Sequence, residues 1–303
     1  MIPKVSVIIP NYNHVRFLEE RIQSVLAQTY QDYELIILDD CSPDGGASKA
    51  IIEKYRSNPH VSHIVYNEVN SGSTFKQWHK GIELARGEYI WIAESDDSCD
   101  KRLLEKLMEA ITENNAIMAF CRSLQFDENG ITSNFTFQNR LDGDFVLDGN
   151  RFIQSFLVDR NRVANASSVV FKRSTAVNVA PCYQELKAVG DWLFWILLAE
   201  HGKVCFIDEE LNYFRWHSLN TTKTNIQNGT EAKETFVIHQ HLVKRGMLKC
   251  WGIYTRTKRV NGFLAKPYDV VTQQEILKIW DRWYFFRFLN IVYNVITWLK
   301  KIK

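Results

Sequence analysis

The chain has 303 residues, 46% hydrophobic and 24% charged, which is ordinary for a globular protein and allows one large domain or two smaller ones. Its 37 Lys and Arg against 35 Asp and Glu leave a net charge of +2, without the basic excess that neutralises phosphate backbones, so no nucleic-acid partner is expected. Met1–Pro10 shows no basic stretch leading into a long apolar one, and the uncharged run Phe288–Leu299 falls short of the about 20 residues of a spanning helix, so a cytoplasmic chain without a membrane span is expected.

Val5–Ile9 is a short β-branched run, and a helical pattern follows through Phe17, Leu18, Ile22, Val25 and Leu26. Glu34–Leu38 reads as a second strand, followed by the turn signature Ser42-Pro43-Asp44-Gly45 and a helix to about Tyr55. Val61–Tyr66 reads as a third strand, Ser73–Ala85 as a helix ended by Gly87, and Tyr89–Ala93 as a fourth strand. A further helix runs over Lys101–Asn114 with Asp100 as its N-cap. Strands alternating with helices of this length predict an α/β fold built of βαβ units, with a parallel sheet covered on both faces. Beyond it, Met118–Leu124 and Ser167–Phe171 read as strands, Trp192–Ala199 as a short apolar helix, and Leu211–His217 as an alternating strand. From Thr230 onward the pattern is helical. The six cysteines form no C-x-x-C pair and read as free thiols.

Three of the early strands end in polar clusters: Pro10-Asn11-Tyr12-Asn13, Asp39-Asp40, and Glu94-Ser95-Asp96-Asp97. In a parallel sheet all three emerge at the carboxyl edge, where open α/β sheets bind ligands. Topology thereby gathers Asp39, Asp40, Glu94, Asp96 and Asp97, which is costly unless a positive charge sits among them. A divalent cation answers that need, with Mg²⁺ or Mn²⁺ the best match for carboxylates, and such a cation usually also binds a substrate's phosphates. Neither a G-x-x-x-x-G-K-S/T loop nor a G-x-G-x-x-G after the first strand is present. A diphosphate would therefore be held by metal, basic side chains and backbone. Tyr12 offers a ring on which a flat base could stack; a partly buried loop aromatic is the competing reading.

The run Val5 to Asn13, then Glu34–Asp40 with Cys41-Ser42-Pro43-Asp44-Gly45, then Gly87-Glu88-Tyr89-Ile90 leading to Ser95-Asp96-Asp97 resemble glycosyltransferase family 2, over roughly residues 3–217. The resemblance implies a GT-A-type fold, a mostly parallel sheet flanked by helices, here with a C-terminal helical extension. It implies inverting transfer of a sugar from a nucleotide diphosphate. Asp40 would accept the N–H of a uracil-like base, Tyr12 would stack on that base, and Pro10 would contribute backbone. Asp96 would meet the ribose or the metal shell, and Asp97 would ligate the cation, with Glu94 standing where the family commonly has Asp. The segment Asn70–Trp78 departs from the family's Ala-Arg-Asn pattern, and Lys76 is taken to supply the positive charge instead.

Gly190-Asp191-Trp192 places one carboxylate just before an apolar helix, where a helix cap and a catalytic base are equal readings of the residues. The resemblance places the general base here, and Asp191 is assigned that role because an inverting transfer must deprotonate the acceptor hydroxyl. Alternation in Tyr213–His217 puts Arg215 and His217 on one face. The resemblance sets this pair near the diphosphate, with Arg215 in donor binding and His217 as an additional metal ligand; a solvated strand face is the competing reading.

The expected division is 1–125 for the nucleotide-sugar, 126–229 for the acceptor, and 230–303 as a helical, aromatic and basic extension. A UDP-sugar is the favoured donor, and a glycan or lipid-linked acceptor in surface polysaccharide synthesis is the expected partner. A nucleotidyltransferase on a similar sheet and a non-catalytic sugar-binding module are the alternatives. Residues 278–303 hold eight aromatics and six basic residues against one acid, with apolar residues at helical spacing. That composition predicts an interfacial helix drawn to anionic lipid on the inner face of the membrane. Packing on the protein's own core is the competing reading.

Overall fold

Val5–Asn11 (β1) and Tyr33–Asp39 (β2) are buried along their whole lengths, as strands covered on both faces must be. Successive side chains alternate between the faces. Val5, Val7, Ile9, Leu35 and Ile37 enter one core with Leu18, Ile22 and Val25 of helix α1 (Val15–Leu26) and Leu103, Leu107 and Ile111 of α4 (Leu103–Asn114). Ile8, Ile36 and Leu38 enter the other, beneath Phe75, Trp78 and Ile82 of α3 (Thr74–Leu84). Between α1 and α3 lies the short α2 (Ala47–Glu53), whose Asp44 carboxylate accepts from the backbone N–H of Gly46 and Ser48. The computed structural model describes residues 2–127, 130–134, 138, 141–217, 221–247, 257 and 259–281.

The sheet continues through β3 (Val61–Tyr66), β4 (Tyr89–Ile92), β5 (Ser98–Cys99), β6 (Met118–Asp127), β7 (Gly130–Asn134), β8 (Phe145–Asp148), β9 (Val169–Lys172) and β10 (Lys203–Arg215). Its order is β3-β2-β1-β4-β9-β6-β10-β5, with β7 on β6 and β8 on β10. The strands β3, β2, β1 and β4 are parallel, β9 runs antiparallel between β4 and β6, and β10 is parallel to β6. The fold is the expected mixed α/β sheet flanked by helices. Several elements differ from the sequence reading. The last strand was expected only from Leu211, but β10 begins at Lys203, because Asp208-Glu209-Glu210 breaks the apolar alternation at register shifts flanking Glu210. The short α5 (Gly149–Phe152) and β8 were not anticipated, their patterns being too short to show a period.

After α6 (Arg173–Ala176), α7 (Gly190–Ala199) and α8 (Thr221–Gln227), the chain enters α9 (Thr230–Lys244). Ile238 and Leu242 of α9 reach the main core, while its Ala232 and Phe236 pack with Ile276 and Trp280 of the helix Val270–Asp281. This corrects one expectation. Trp280, one of the eight aromatics of the segment expected at the membrane surface, is 2% exposed; its indole meets Phe236 edge-on at 5.4 Å and donates to Ala232 O at 3.1 Å. The remainder of that stretch, from Arg282, lies outside the described residues. Among the described residues no helix is long and apolar enough to cross a membrane.

Candidate active site

Because β1, β2 and β4 run parallel, the polar clusters that follow them share one edge of the sheet. Asp39 ties the first two strand ends together, accepting from Asn11 Nδ2 at 2.7 Å, Ser42 Oγ at 2.7 Å and Ser42 N at 3.1 Å. Both chains then turn sharply, Asn13 and Cys41 holding φ of 58° and 61°. Asn tolerates that left-handed backbone, whereas the Cys41 β-carbon costs on the order of 1 kcal/mol there. Pro10 is buried within β1 opposite Leu38, and Tyr12 stands just beyond the strand with 45% of its surface exposed.

The Asp40 carboxylate is buried and accepts from five donors. They are Asn67 Nδ2 (2.6 Å), Asn70 Nδ2 (3.2 Å), Ser71 N (2.9 Å), Ser71 Oγ (2.6 Å) and Gln77 Nε2 (3.0 Å). It therefore clamps the loop before α3, and a base N–H would have to displace one of these donors. Gln77, not Lys76, is the α3 side chain that reaches it; Lys76 is exposed on the same helix. Sequence reasoning missed Gln77 because a glutamine inside an amphipathic helix carries no motif.

The cluster after β4 separates into different environments. Glu94 accepts from Trp78 Nε1 at 2.7 Å. Burial and the neighbouring Asp96 charge push its carboxyl up to about 8, against the Trp78 hydrogen bond. Asp97 has no exposed surface, and its oxygens accept from Ser167 Oγ at 2.7 Å and Arg215 N at 3.1 Å. Burial and Asp96 push it up to about 7, while the fully buried Arg21 guanidinium pulls the other way. Asp96 faces two imidazoles: Asp96 Oδ2 lies 3.0 Å from His217 Nε2 and 3.9 Å from His14 Nε2. Burial opposes its charge, but the His217 hydrogen bond and the two rings outweigh burial and hold it below the usual carboxylate range. The His14 ring, lowered chiefly by burial, meets Ser95 Oγ through Nδ1 at 2.9 Å, which fixes its orientation.

His14, Asp96 and His217 offer ligand atoms all within 4.8 Å of one another, the one such group among the described residues. The sequence reading had His217 and Asp96 here but placed the cation on Asp97 and Glu94, whose side chains are turned to Ser167, Arg215 and Trp78. His14 was missed, although the polar run Asn11–His14 emerges at the same edge as Ser95–Asp97. Two imidazoles and one carboxylate suit Mn²⁺ better than Mg²⁺, which prefers oxygen throughout. Arg215 lies on the Asp96 side of its strand, as alternation required. Its Nε donates to Asp96 O at 2.9 Å, its guanidinium pairs with Glu20 at 2.6 Å, and it stacks between Phe17 and Phe126. These contacts fix the end of β10, and with it His217.

Asp191 is the second residue of α7, so it is not the helix cap; that position is Val189. Gly190 is required before it, since a β-carbon there would lie 2.5 Å from Phe75 and 2.7 Å from Tyr183 O. Asp191 Oδ2 accepts from Asn161 Nδ2 at 2.8 Å. Burial pushes the carboxyl up to about 6, against the hydrogen bonds from Trp192 N and Asn161. The segment from Asn161 to Ser167 thus touches Asp191 at one end and Asp97 at the other.

Residues 6–163, just over half of the chain, match the family profile described as Glycosyl transferase family 2. The chain belongs to glycosyltransferase family 2. Within this family it is 39% identical over 118 residues to a putative teichuronic acid biosynthesis glycosyltransferase, TuaG, of Bacillus subtilis, covering 39% of this chain and 46% of that protein. It is 38% identical over 115 residues to the poly(ribitol-phosphate) β-N-acetylglucosaminyltransferase TarP of Staphylococcus aureus, covering 37% and 34%. An uncharacterized glycosyltransferase of Haemophilus influenzae is 30% identical over 191 residues, covering 61% and 74%. The chain spans about half or less of the length of the first two of these relatives. In fold it resembles S. aureus TarS 1–349 in complex with UDP-GlcNAc, with a TM-score of 0.70 at 18% identity, covering 91% of this chain and 79% of that one.

Proposed function

We propose that this family 2 chain is an inverting, metal-dependent glycosyltransferase that moves a sugar from a UDP-type donor to a hydroxyl of an anionic surface glycan. The observation that carries the reading is the pair of environments joined by the segment Asn161–Ser167. One is a three-ligand group at the sheet edge, and the other is a half-buried carboxylate with a raised pKa at the start of α7. Asp191 takes the proton of the acceptor hydroxyl as its oxygen attacks the anomeric carbon, and the bond to the diphosphate breaks with its electron pair on the leaving group. His14, Asp96 and His217 would hold a divalent cation there, Mn²⁺ before Mg²⁺, which when bound offsets charge on the departing diphosphate. Asp97 and Arg21 stand behind this group, Asp40 holds the donor loop, Tyr12 offers its exposed ring to the base, and Lys76 stays an exposed cation on the donor side.

Support for a UDP donor comes from the TarS likeness, and support for an anionic acceptor comes from two relatives, one named for teichuronic acid biosynthesis and one as a poly(ribitol-phosphate) β-N-acetylglucosaminyltransferase. The chain carries its own sign of the latter. Arg160 and Arg162 flank Asn161, and Arg259 lies over the Trp192 ring at 4.9 Å. With Lys266, which pairs with Glu231, these make four cations against Asp159 and Glu231 beside the Asn161 loop and the Trp192 ring. In this reading 1–125 binds the donor, 126–229 binds the acceptor, and 230–303 is an extension. A thermal-shift panel of UDP, GDP and TDP with Mn²⁺ tests it: UDP is expected to stabilise the chain most. A response to none of the three would remove the nucleotide site.

The extension's end, Arg282–Lys303, keeps seven of the eight aromatics and five of the basic residues. We assign it to peripheral contact with the inner face of the membrane. Co-sedimentation with anionic vesicles is expected for the full chain and not for a truncation after Asp281, which spares Trp280. Equal binding of the two would refute the assignment.

A further inference from the structure

The helix that carries Asp191 lacks a cap of its own. Val189 stands at its N-cap position and has no side-chain acceptor, so no side chain at that position anchors the approach to the helix. The C-terminal extension supplies the anchor. The Glu234 carboxylate of α9 accepts from three consecutive backbone N–H groups: Lys187 at 2.9 Å, Ala188 at 2.8 Å and Val189 at 3.3 Å. Asn225 Nδ2 of α8 donates to Lys187 O at 3.0 Å, so the same peptides are held from both sides. Glu234 is projected from a helix whose neighbours Ala232, Thr235, Phe236 and Ile238 are buried, so its position is set by packing. A carboxylate there also complements the positive end of the α7 dipole. The next residue, Gly190, packs against Phe75 and Tyr183 so closely that a β-carbon there would lie 2.5 Å from the Phe75 ring.

The geometry points to Glu234 as a positioning residue for catalysis: from α9 it holds the three peptides that lead into α7 and thereby aims Asp191, coupling the C-terminal extension to the chemical step. This inference rests on Asp191 being the general base. A base displaced by about 1 Å can lose on the order of 100-fold in rate without any change in substrate contacts. Glu234→Ala is therefore expected to lower kcat by roughly 10–100-fold while the donor KM stays within about twofold. Glu234→Gln, which keeps one acceptor oxygen, should recover part of the loss and serves where the alanine variant folds poorly. In the Asp191→Asn background, Glu234→Ala or Glu234→Gln should cost nothing further, because the residue acts through Asp191. Parent-level kcat in both Glu234 variants, an equal loss in both backgrounds, or a matching rise in donor KM would overturn the inference. Failure of the base assignment has a different signature: Asp191→Asn alone would then turn over at the parent rate, which would overturn both.

Discussion

Asp191→Asn is expected to lower kcat by roughly 10²–10⁴-fold, the usual worth of a general base, with donor affinity unchanged. The amide keeps the acceptor for Asn161 and the volume of the carboxyl, so the loss isolates proton transfer. The same substitution should stabilise the fold at neutral pH. Burial raises the Asp191 pKa from 3.8 to about 6, so above pH 6 the folded chain carries a carboxylate that would be better solvated unfolded. Removing that charge is expected to gain about 1–3 kcal/mol, a rise in Tm that accompanies the loss of rate. The parent's kcat should fall as pH drops through about 6, where the base becomes protonated, and be level just above it. A variant at the parent rate, or a parent whose kcat is unchanged between pH 5 and 7, would remove Asp191 from the chemistry.

The second large effect concerns the metal. Asp96→Ala should weaken Mn²⁺ binding by more than the roughly 10–100-fold that a residue behind a ligand is worth, and abolish Mn²⁺-dependent binding of UDP while the fold survives. His14→Ala and His217→Ala should act in the same direction, because each contributes an imidazole to one group. Asp97→Ala should differ in kind. It removes the buried acceptor for Ser167 Oγ and Arg215 N and is expected to destabilise the fold by about 1–3 kcal/mol, the cost of leaving a buried donor unsatisfied. Titration of Mn²⁺ by electron paramagnetic resonance, with thermal denaturation alongside, separates the two outcomes. Parent-level Mn²⁺ affinity in Asp96→Ala would sink the three-ligand assignment.

The parallel half of the sheet was legible in the sequence because buried parallel strands are continuous β-branched runs, and Val5–Ile9, Glu34–Leu38 and Tyr89–Ile92 stand out between helical periods. The sheet edge followed from topology, and with it the gathering of Asp39, Asp40, Glu94, Asp96 and Asp97. What each acid touches was not legible. Asp96 and Asp97 are neighbours with identical side chains, yet one faces two imidazoles and the other is sealed against Ser167 and the Arg215 backbone. That difference depends on Ser167, just before β9, and on Arg215 at the end of β10, 70 and 118 residues further along the chain. Arg21 sits on the apolar stripe of α1 between Leu18 and Ile22, where periodicity expects an apolar residue and offers no reason for a charge. Glu234 was invisible for a similar reason. An exposed-looking glutamate in a helix has no signature until the peptides it caps, 45 residues earlier, are brought to it.

The central claim is metal-dependent transfer of a sugar from a nucleotide diphosphate to an acceptor hydroxyl whose proton Asp191 takes. Its most direct test is release of UDP from a panel of UDP-hexoses and UDP-N-acetylhexosamines by the full chain, with Mn²⁺, after chelation, and in Asp191→Asn. At least one donor should release UDP with Mn²⁺ present, and release should stop on chelation and resume on adding Mn²⁺ back. In the presence of an acceptor, the Asp191→Asn variant should fall by the factor given above. UDP release that persists after chelation, or an Asp191→Asn variant as fast as the parent, would contradict the account.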